Sequence, residues 1–356
     1  MKRRDFIRTL PAAAGGFLLK GWPQYRPGRN PRRLALGPRL RRPNPWMTSD
    51  GRPRVVCIEG RSLPLMLRKG LAALGGLERL VPDGRGVLIK PNLVLREPAP
   101  FSQYPTMSHP GCIRELIHLV RTVSNDVAVG DQGGEDQALI YDALDLRNAV
   151  NGAGARLLDF ERESSPTLSV RLPHWAPDVP DYEVFRSIHE APVIISLCNL
   201  KRHSSAFMTG AIKNMFGALA GRWSSGTRGY VHRHANLSQA FLESLPDVAA
   251  LINPELTIVD AREILIGNGP LQTASGAEVL TGVDRLVLSG DPVAVDAYCA
   301  RRIMAPRDPS FDPESITPTL RGSEALGLGI SDLGAVEILE IDETWIGGSK
   351  RSRPRR

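Results

Sequence analysis

Short apolar runs rich in β-branched residues alternate with helix-like stretches from residue 55 to residue 341. Val55–Glu59, Gly86–Ile89, Asp126–Gly130, Ala155–Phe160, Pro192–Leu197, Leu256–Asp260, Arg285–Ser289 and Ala335–Ile341 read as strands. Helical spacing falls at Pro64–Leu80, Pro110–Thr122, Glu135–Val150, Asn236–Ile252 and Pro292–Met304. Such alternation predicts an α/β fold, a largely parallel or mixed sheet flanked by helices in three layers. The proline-bearing stretch Glu161–Tyr182 interrupts the pattern and reads as a small inserted subdomain with a hairpin. Polar motifs follow five of the strands: Pro91-Asn92, Asp131 to Glu135, the loop Asn199–Ser205, Asp260, and Gly290-Asp291. Ligands of open α/β sheets bind beyond the carboxyl ends of the strands. If all five strands are parallel, these motifs converge on one edge.

The segment from Ile194 to Gly217 concentrates the chemistry. A buried strand ends at Leu197, and a polar loop carries Lys201, Arg202 and His203. A helix is then expected to open at Ser204 or Ser205, because serine accepts from free amides at a helix start. On such a helix Ser205, Thr209 and Lys213 share one face. A cation aligned with two hydroxyls near a helix start is suited to an anion. The alternative is a buried helix whose lysine extends to solvent.

This segment resembles the signature of the bacterial and archaeal family called domain of unknown function 362. The residues that carry the resemblance are Lys201-Arg202-His203 and Lys213-Asn214-Met215-Phe216-Gly217. Lys90-Pro91-Asn92-Leu93-Val94, Gly267-Asn268-Gly269-Pro270 and Gly290 to Ala297 are similar to three further family segments, in the family's order. The resemblance implies a common fold and names no activity. Many members carry a ferredoxin-like segment. This chain has four cysteines, Cys57, Cys112, Cys198 and Cys299, and none has the close spacing of cluster or zinc ligands. An iron–sulfur cluster is therefore not expected, and no motif names another cofactor.

Charge divides the chain into parts. Residues 1–54 hold 14 Lys and Arg against 2 acidic residues, and residues 350–356 hold 5 basic residues and no acid. The body between them is acidic, although the whole chain carries a net +7. A nucleic-acid-binding domain usually presents a basic face of its own, so no specific nucleic-acid partner is expected. Residues 1–20, with Arg3-Arg4, Phe6-Ile7 and a short apolar stretch, resemble a twin-arginine export signal. The expectation is an exported or periplasmic protein if that signal works, and a cytoplasmic one otherwise. Residues 21–54 read as a Pro- and Arg-rich linker without packed structure, 55–349 as one α/β domain, and 350–356 as a basic tail. No stretch has the length of a transmembrane span.

Asp131, His203 and Asp260 are the candidate catalytic residues. The two carboxylates suit a metal ion or proton exchange. Lys90, Asn92, Lys201, Thr209, Lys213 and Asn214 are the candidate ligand-binding residues, with an anionic small molecule or cofactor as partner. Asp296 lies on an apolar helix and needs a partner, for which Lys213 or Lys90 is the candidate. The loop Gly221–Ala235 adds Arg228, His232 and His234 as residues able to close over an anion or bind a metal. Three functions fit: a cofactor-dependent enzyme acting on an anionic small molecule, a non-catalytic carrier of an anion or metal, or an envelope- or nucleic-acid-associated protein acting through its basic tails.

Overall fold

The computed structural model describes residues 37–160, 167–170, 182–222, 228, 229, 231 and 240–345. The export signal, most of the linker, His232, His234 and the basic tail lie outside these residues. The strands are β1 (Arg54–Glu59), β2 (Val87–Lys90), β3 (Val127–Val129), β4 (Arg156–Leu157), β5 (Thr167–Val170), β6 (Tyr182–Phe185), β7 (Val193–His203), β8 (Phe207–Thr209), β9 (Leu256–Gly267), β10 (Ala277–Leu280), β11 (Arg285–Ser289) and β12 (Glu337–Asp342). The main sheet runs β12-β1-β11-β9-β7-β2-β3-β4, with β8 and β10 added to the ends of β7 and β9. β9, β7, β2, β3 and β4 are parallel to one another, and β12 is parallel to β1. β11 is antiparallel to both of its neighbours.

Alternate residues of each strand enter two separate cores. Val56, Ile58, Ile89, Val129, Ile195 and Ile258 pack beneath the helices Leu63–Leu74, Pro110–Val120, Gln137–Ala143 and Leu146–Gly152. Val55, Leu88, Ala128, Cys198, Val259 and Val287 pack against Ala211–Asn214, Ala240–Ile252, Pro292–Tyr298 and Thr317–Ala325. The result is the expected three-layer α/β fold. Within the proline-bearing insertion, β5 and β6 pair as an antiparallel hairpin whose Val170, Tyr182 and Val184 join the second core. Among the described residues no helix is long and apolar enough to cross a membrane.

Four local expectations change. The linker was expected to stay unpacked to residue 54, yet Trp46 is buried and Arg39 pairs with Glu255 at 2.8 Å. Because β11 is antiparallel, Gly290-Asp291 lies at the edge opposite the other polar motifs. Asp291 there caps the helix Pro292–Tyr298 through the amides of Val293 and Ala294. No helix opens at Ser204 or Ser205. β7 continues to His203, the chain reverses, and β8 pairs back so that Lys201 faces Thr209. Residues 204–206 make the turn, and Phe207, at φ 63°, opens β8 opposite His203. Ser205 therefore does not share a helix face with Lys213.

The helix carrying Lys213 starts only at Ala211. Its first amides, of Ala211 and Ile212, donate to Asp296 at 2.6 and 3.0 Å. Asp296 thus has backbone partners and not Lys213 or Lys90. Burial pushes its carboxyl up to about 7, and the two amides oppose that rise. Glycine at 210 is required by this contact, since a Cβ there would overlap Oδ1 of Asp296.

Candidate functional site

The carboxyl ends of β2, β3 and β7 meet the segment Gly210–Gly217 around a cavity of about 230 Å³. Asn92, Asp131, His203, Thr209, Lys213 and Asn214 line it. Lys90 and Lys201 are fully buried behind that wall. Register explains the convergence: Lys90 at the end of β2 lies beside Ser196 of β7, and Ile89 beside Val129 of β3.

The two buried lysines hold the wall in place. Nζ of Lys90 lies 2.5 Å from Oδ1 of Asp131 and donates to the Asn214 carbonyl at 2.6 Å. Oδ2 of Asp131 accepts from the Leu93 amide at 2.7 Å. Nζ of Lys201 donates to Oδ1 of Asn92 at 2.7 Å and to the Thr106 carbonyl. Asn92 in turn donates to Oδ1 of Asn214 at 3.0 Å, and Asn214 donates to Ser196 at 2.9 Å. Side chains from four separated segments thus form one closed hydrogen-bonded network. Burial lowers the basicity of Lys90 against the pull of Asp131, and raises the Asp131 carboxyl against the pull of Lys90. Burial brings Lys201 down to about 7, opposed by Glu97.

Lys213 differs from both. Its ammonium lies 4.3 Å from the Phe216 ring centroid and 5.6 Å from that of Phe241. Among the described residues it has no hydrogen-bond or ion-pair partner. Burial, then the charges of Arg228, Lys201 and Lys90, holds its basicity well below the ordinary lysine range. Arg228 is also buried on the wall. Its Nη1 donates to the carbonyls of Gln132 and Gly133, while its Nε is buried without a partner. Burial lowers Arg228 to about 10, so it remains cationic at neutral pH.

His203 has a defined tautomer. Its Nδ1 accepts from the amides of Ser205 and Ala206, both at 3.1 Å. The ring proton of neutral His203 therefore sits on Nε2. Burial, then Lys213 and Lys201, pushes its pKa well below the usual value, so the ring stays neutral. A neutral metal-binding imidazole needs a free ring-nitrogen lone pair, and here Nδ1 accepts from two amides while Nε2 carries the proton. His203 is thus a hydrogen-bond donor.

Asp260 does not join this group. It accepts from Tyr104 at 3.0 Å and from both Nε and Nη2 of Arg262, at 3.0 and 2.7 Å, and it is absent from the cavity wall. Arg262 stands two positions on along β9, on the same strand face, and takes the carboxylate in its fork. A metal shared by Asp131 and Asp260 is accordingly not supported. Among the described residues no three His, Cys, Asp or Glu side chains gather to hold one. Glu135 pairs with Arg96 at the surface, and Asp136 caps the following helix.

Phe216 and Gly217 also line the cavity without having been candidate site residues, and Arg228, expected only as a residue of a closing loop, is part of the wall itself. Arg228 has no strand-end signature and reaches the wall from a helical turn. Gly217 had a signal in the Lys-Asn-x-Phe-Gly pattern. A Cβ at 217 would overlap Oδ1 of Asp131 and stand 2.9 Å from Nζ of Lys90, so the site needs glycine at this position.

Comparison with known proteins adds a family. A thylakoid-associated protein of Synechocystis sp. is 29% identical over 273 residues, which cover 76% of this chain and 77% of that protein. Among solved structures, the lactate racemase apoprotein from Thermoanaerobacterium thermosaccharolyticum aligns with 73% of this chain at a TM-score of 0.41 and 11% identity. This chain spans 59% of that protein. A Thermotoga maritima protein aligns with 75% of this chain at a TM-score of 0.32 and 9% identity, and 60% of its length is spanned. The family model described as domain of unknown function (DUF362) matches residues 87–301, a span that includes every residue of the cavity wall. With more than half of its length so matched, the chain belongs to the domain of unknown function 362 family.

Proposed function

We propose that the cavity binds a small anionic molecule, held by Arg228, Lys213, the Nε2–H of His203 and Thr209. The observation that carries this reading is the unbalanced charge of the wall. Lys213 and the Nε edge of Arg228 lack partners among the described residues, and the wall's carboxylate, Asp131, is taken by Lys90 and the Leu93 amide. Arg228 is buried and Lys213 is partly buried, and a buried donor left unpaired is costly unless a ligand satisfies it. A cavity of about 230 Å³ suits a small molecule. Capture of an anion fits this geometry better than proton transfer by Asp131, whose oxygens are already engaged. A carrier or an enzyme would both begin with that capture.

Titration calorimetry with pyruvate, oxalate and inorganic phosphate tests the reading. At least one should bind, and Lys213→Gln should weaken it by roughly 10- to 150-fold, the equivalent of about 1.5–3 kcal/mol for a hydrogen bond to a charged group. The melting temperature should hardly change, because Lys213 makes no hydrogen bond or ion pair within the described protein. Equal affinities in wild type and variant would reject Lys213 as a ligand residue.

We infer that Arg3 and Arg4 direct export through a twin-arginine route, on the strength of the residues that follow them. A reporter fused after residue 54 should leave the cytoplasm only when both arginines are intact. Export that persists after Arg3→Lys with Arg4→Lys would remove this reading.

A further inference from the structure

We propose that Lys213 is a nucleophile that captures a small 2-oxo acid as an imine, an activity that rests on the anion site proposed above. Three lysines surround the cavity, and their environments divide them. Lys90 is held by Asp131 and the Asn214 carbonyl, and Lys201 by Asn92 and the Thr106 carbonyl. Their nitrogens are consumed by structure. The Lys213 nitrogen faces the cavity with two aromatic rings as its neighbours and no acceptor among the described residues. A lysine placed only to carry charge would keep a counter-ion. The ring faces attract an ammonium, but with no carboxylate beside it among the described residues and the cations Arg228, Lys201 and Lys90 nearby, the amine is disposed to lose its proton, which is what a nucleophilic lysine requires.

The rest of the wall complements a carbonyl next to a carboxylate. The Arg228 guanidinium lies 5.9 Å from the centroid of the same Phe216 ring that Lys213 covers at 4.3 Å. Its Nε is buried without a partner, and a carboxylate drawn in beside it would gain a charge-assisted contact. In a 2-oxo acid the carbonyl carbon is bonded directly to that carboxylate, so anchoring at Arg228 keeps the electrophile in the cavity that holds Lys213. His203 offers Nε2–H and no acceptor on that edge, as a carbonyl oxygen requires. Thr209 supplies a hydroxyl to the same wall.

The chemistry balances without a further reactant. The amine lone pair of Lys213 forms a bond to the carbonyl carbon, and the carbonyl π pair moves to oxygen. One amine proton passes to that oxygen and gives a carbinolamine. The nitrogen lone pair then forms the C=N bond and expels the hydroxyl, which takes the second amine proton and leaves as water. His203 stabilises the developing oxyanion by hydrogen bonding. Nothing is oxidised or reduced.

Borohydride trapping tests this on the full chain. Pyruvate and sodium borohydride are added with Nα-acetyl-lysine amide as an internal reference, and the digested protein is mapped by mass spectrometry. The expected product is Lys213 heavier by one pyruvic acid less one oxygen atom. An ordinary lysine amine is unprotonated in only about one part in a thousand near neutral pH, so Lys213 should trap at least ~100-fold more efficiently than the reference. Arg228→Gln should lower that yield, and Lys213→Arg should remove the adduct. Mapping of the wild-type protein locates the adduct by itself, so a poorly folded variant does not decide the result. Pyruvate that binds by calorimetry without a Lys213 adduct would overturn the imine and leave the anion site standing. Absence of both binding and adduct would overturn the imine, and absence of oxalate and phosphate binding as well would remove the anion site with it.

Discussion

Lys90→Met should destabilise the protein by about 3–5 kcal/mol, the usual result of leaving one member of a buried ion pair unpaired. Lys90 is wholly buried, and its Nζ approaches Asp131 to 2.5 Å. Methionine preserves most of the packing volume but leaves the Asp131 carboxylate in an apolar surrounding with only the Leu93 amide and the more distant Arg228 charge to offset it. The double variant Lys90→Met with Asp131→Asn should recover most of the loss, because it removes the second charge and keeps an acceptor for Leu93. A residual of about 0.5–1.5 kcal/mol should remain for the donor lost to the Asn214 carbonyl. Urea denaturation of the four proteins gives the coupling directly. Equal stability of wild type and Lys90→Met would show that Lys90 does not hold the wall, and the division of the three lysines into two structural ones and one free one would fail.

That division was only partly legible in the sequence. The layers were readable because most strands contain a short apolar run and each helix has its own spacing, so local pattern determines them. Lys90, Asn92 and Asp131 were found because they cluster where strands end, whereas Asn214 came from the Lys-Asn-x-Phe-Gly pattern and Thr209 from a helix face that the structure replaces with β8. The orientation of β11 was also available and went unread. Between Leu256–Asp260 and Arg285–Ser289 there is no helix-like stretch, and a parallel crossover needs a dozen or more residues, usually helical. The chain instead turns through β10 and returns antiparallel.

Partners contributed by distant segments were harder to foresee. Asp296 was recognised as a carboxylate in need of a partner, but the amides that meet it lie 84 and 85 positions away. Backbone donors have no signature in side-chain sequence. Asp260 had a nearer clue in Arg262, which shares its strand face. The true start of the Lys213 helix was hidden because its cap comes from Asp296 and not from a local serine. Arg228 was visible as a basic loop residue, yet nothing local distinguished it from Arg222 or Arg233. The carbonyls of Gln132 and Gly133, which position it, have no signature in the local sequence.

Gly217→Ala should be nearly as damaging as the loss of Lys90, for one methyl group. The added carbon would overlap Oδ1 of Asp131 and crowd Nζ of Lys90, and both are fixed in a buried network. The backbone at 217 is not in the left-handed region, so alanine brings no conformational strain of its own. The whole effect is steric and falls on the ion pair. Asp131 must leave either Lys90 or the Leu93 amide, at a cost of about 2–4 kcal/mol from overpacking and a weakened pair. For a protein of this size that is a fall of roughly 3–6 °C in melting temperature. Anion affinity should fall too, since Gly217 and Asp131 both line the cavity. The cause can be isolated in the background Lys90→Met with Asp131→Ala, where the carboxylate that alanine would strike is absent. There Gly217→Ala should cost less than about 1 kcal/mol. An equal cost in both backgrounds would place the strain in the backbone and not in the Lys90–Asp131 pair.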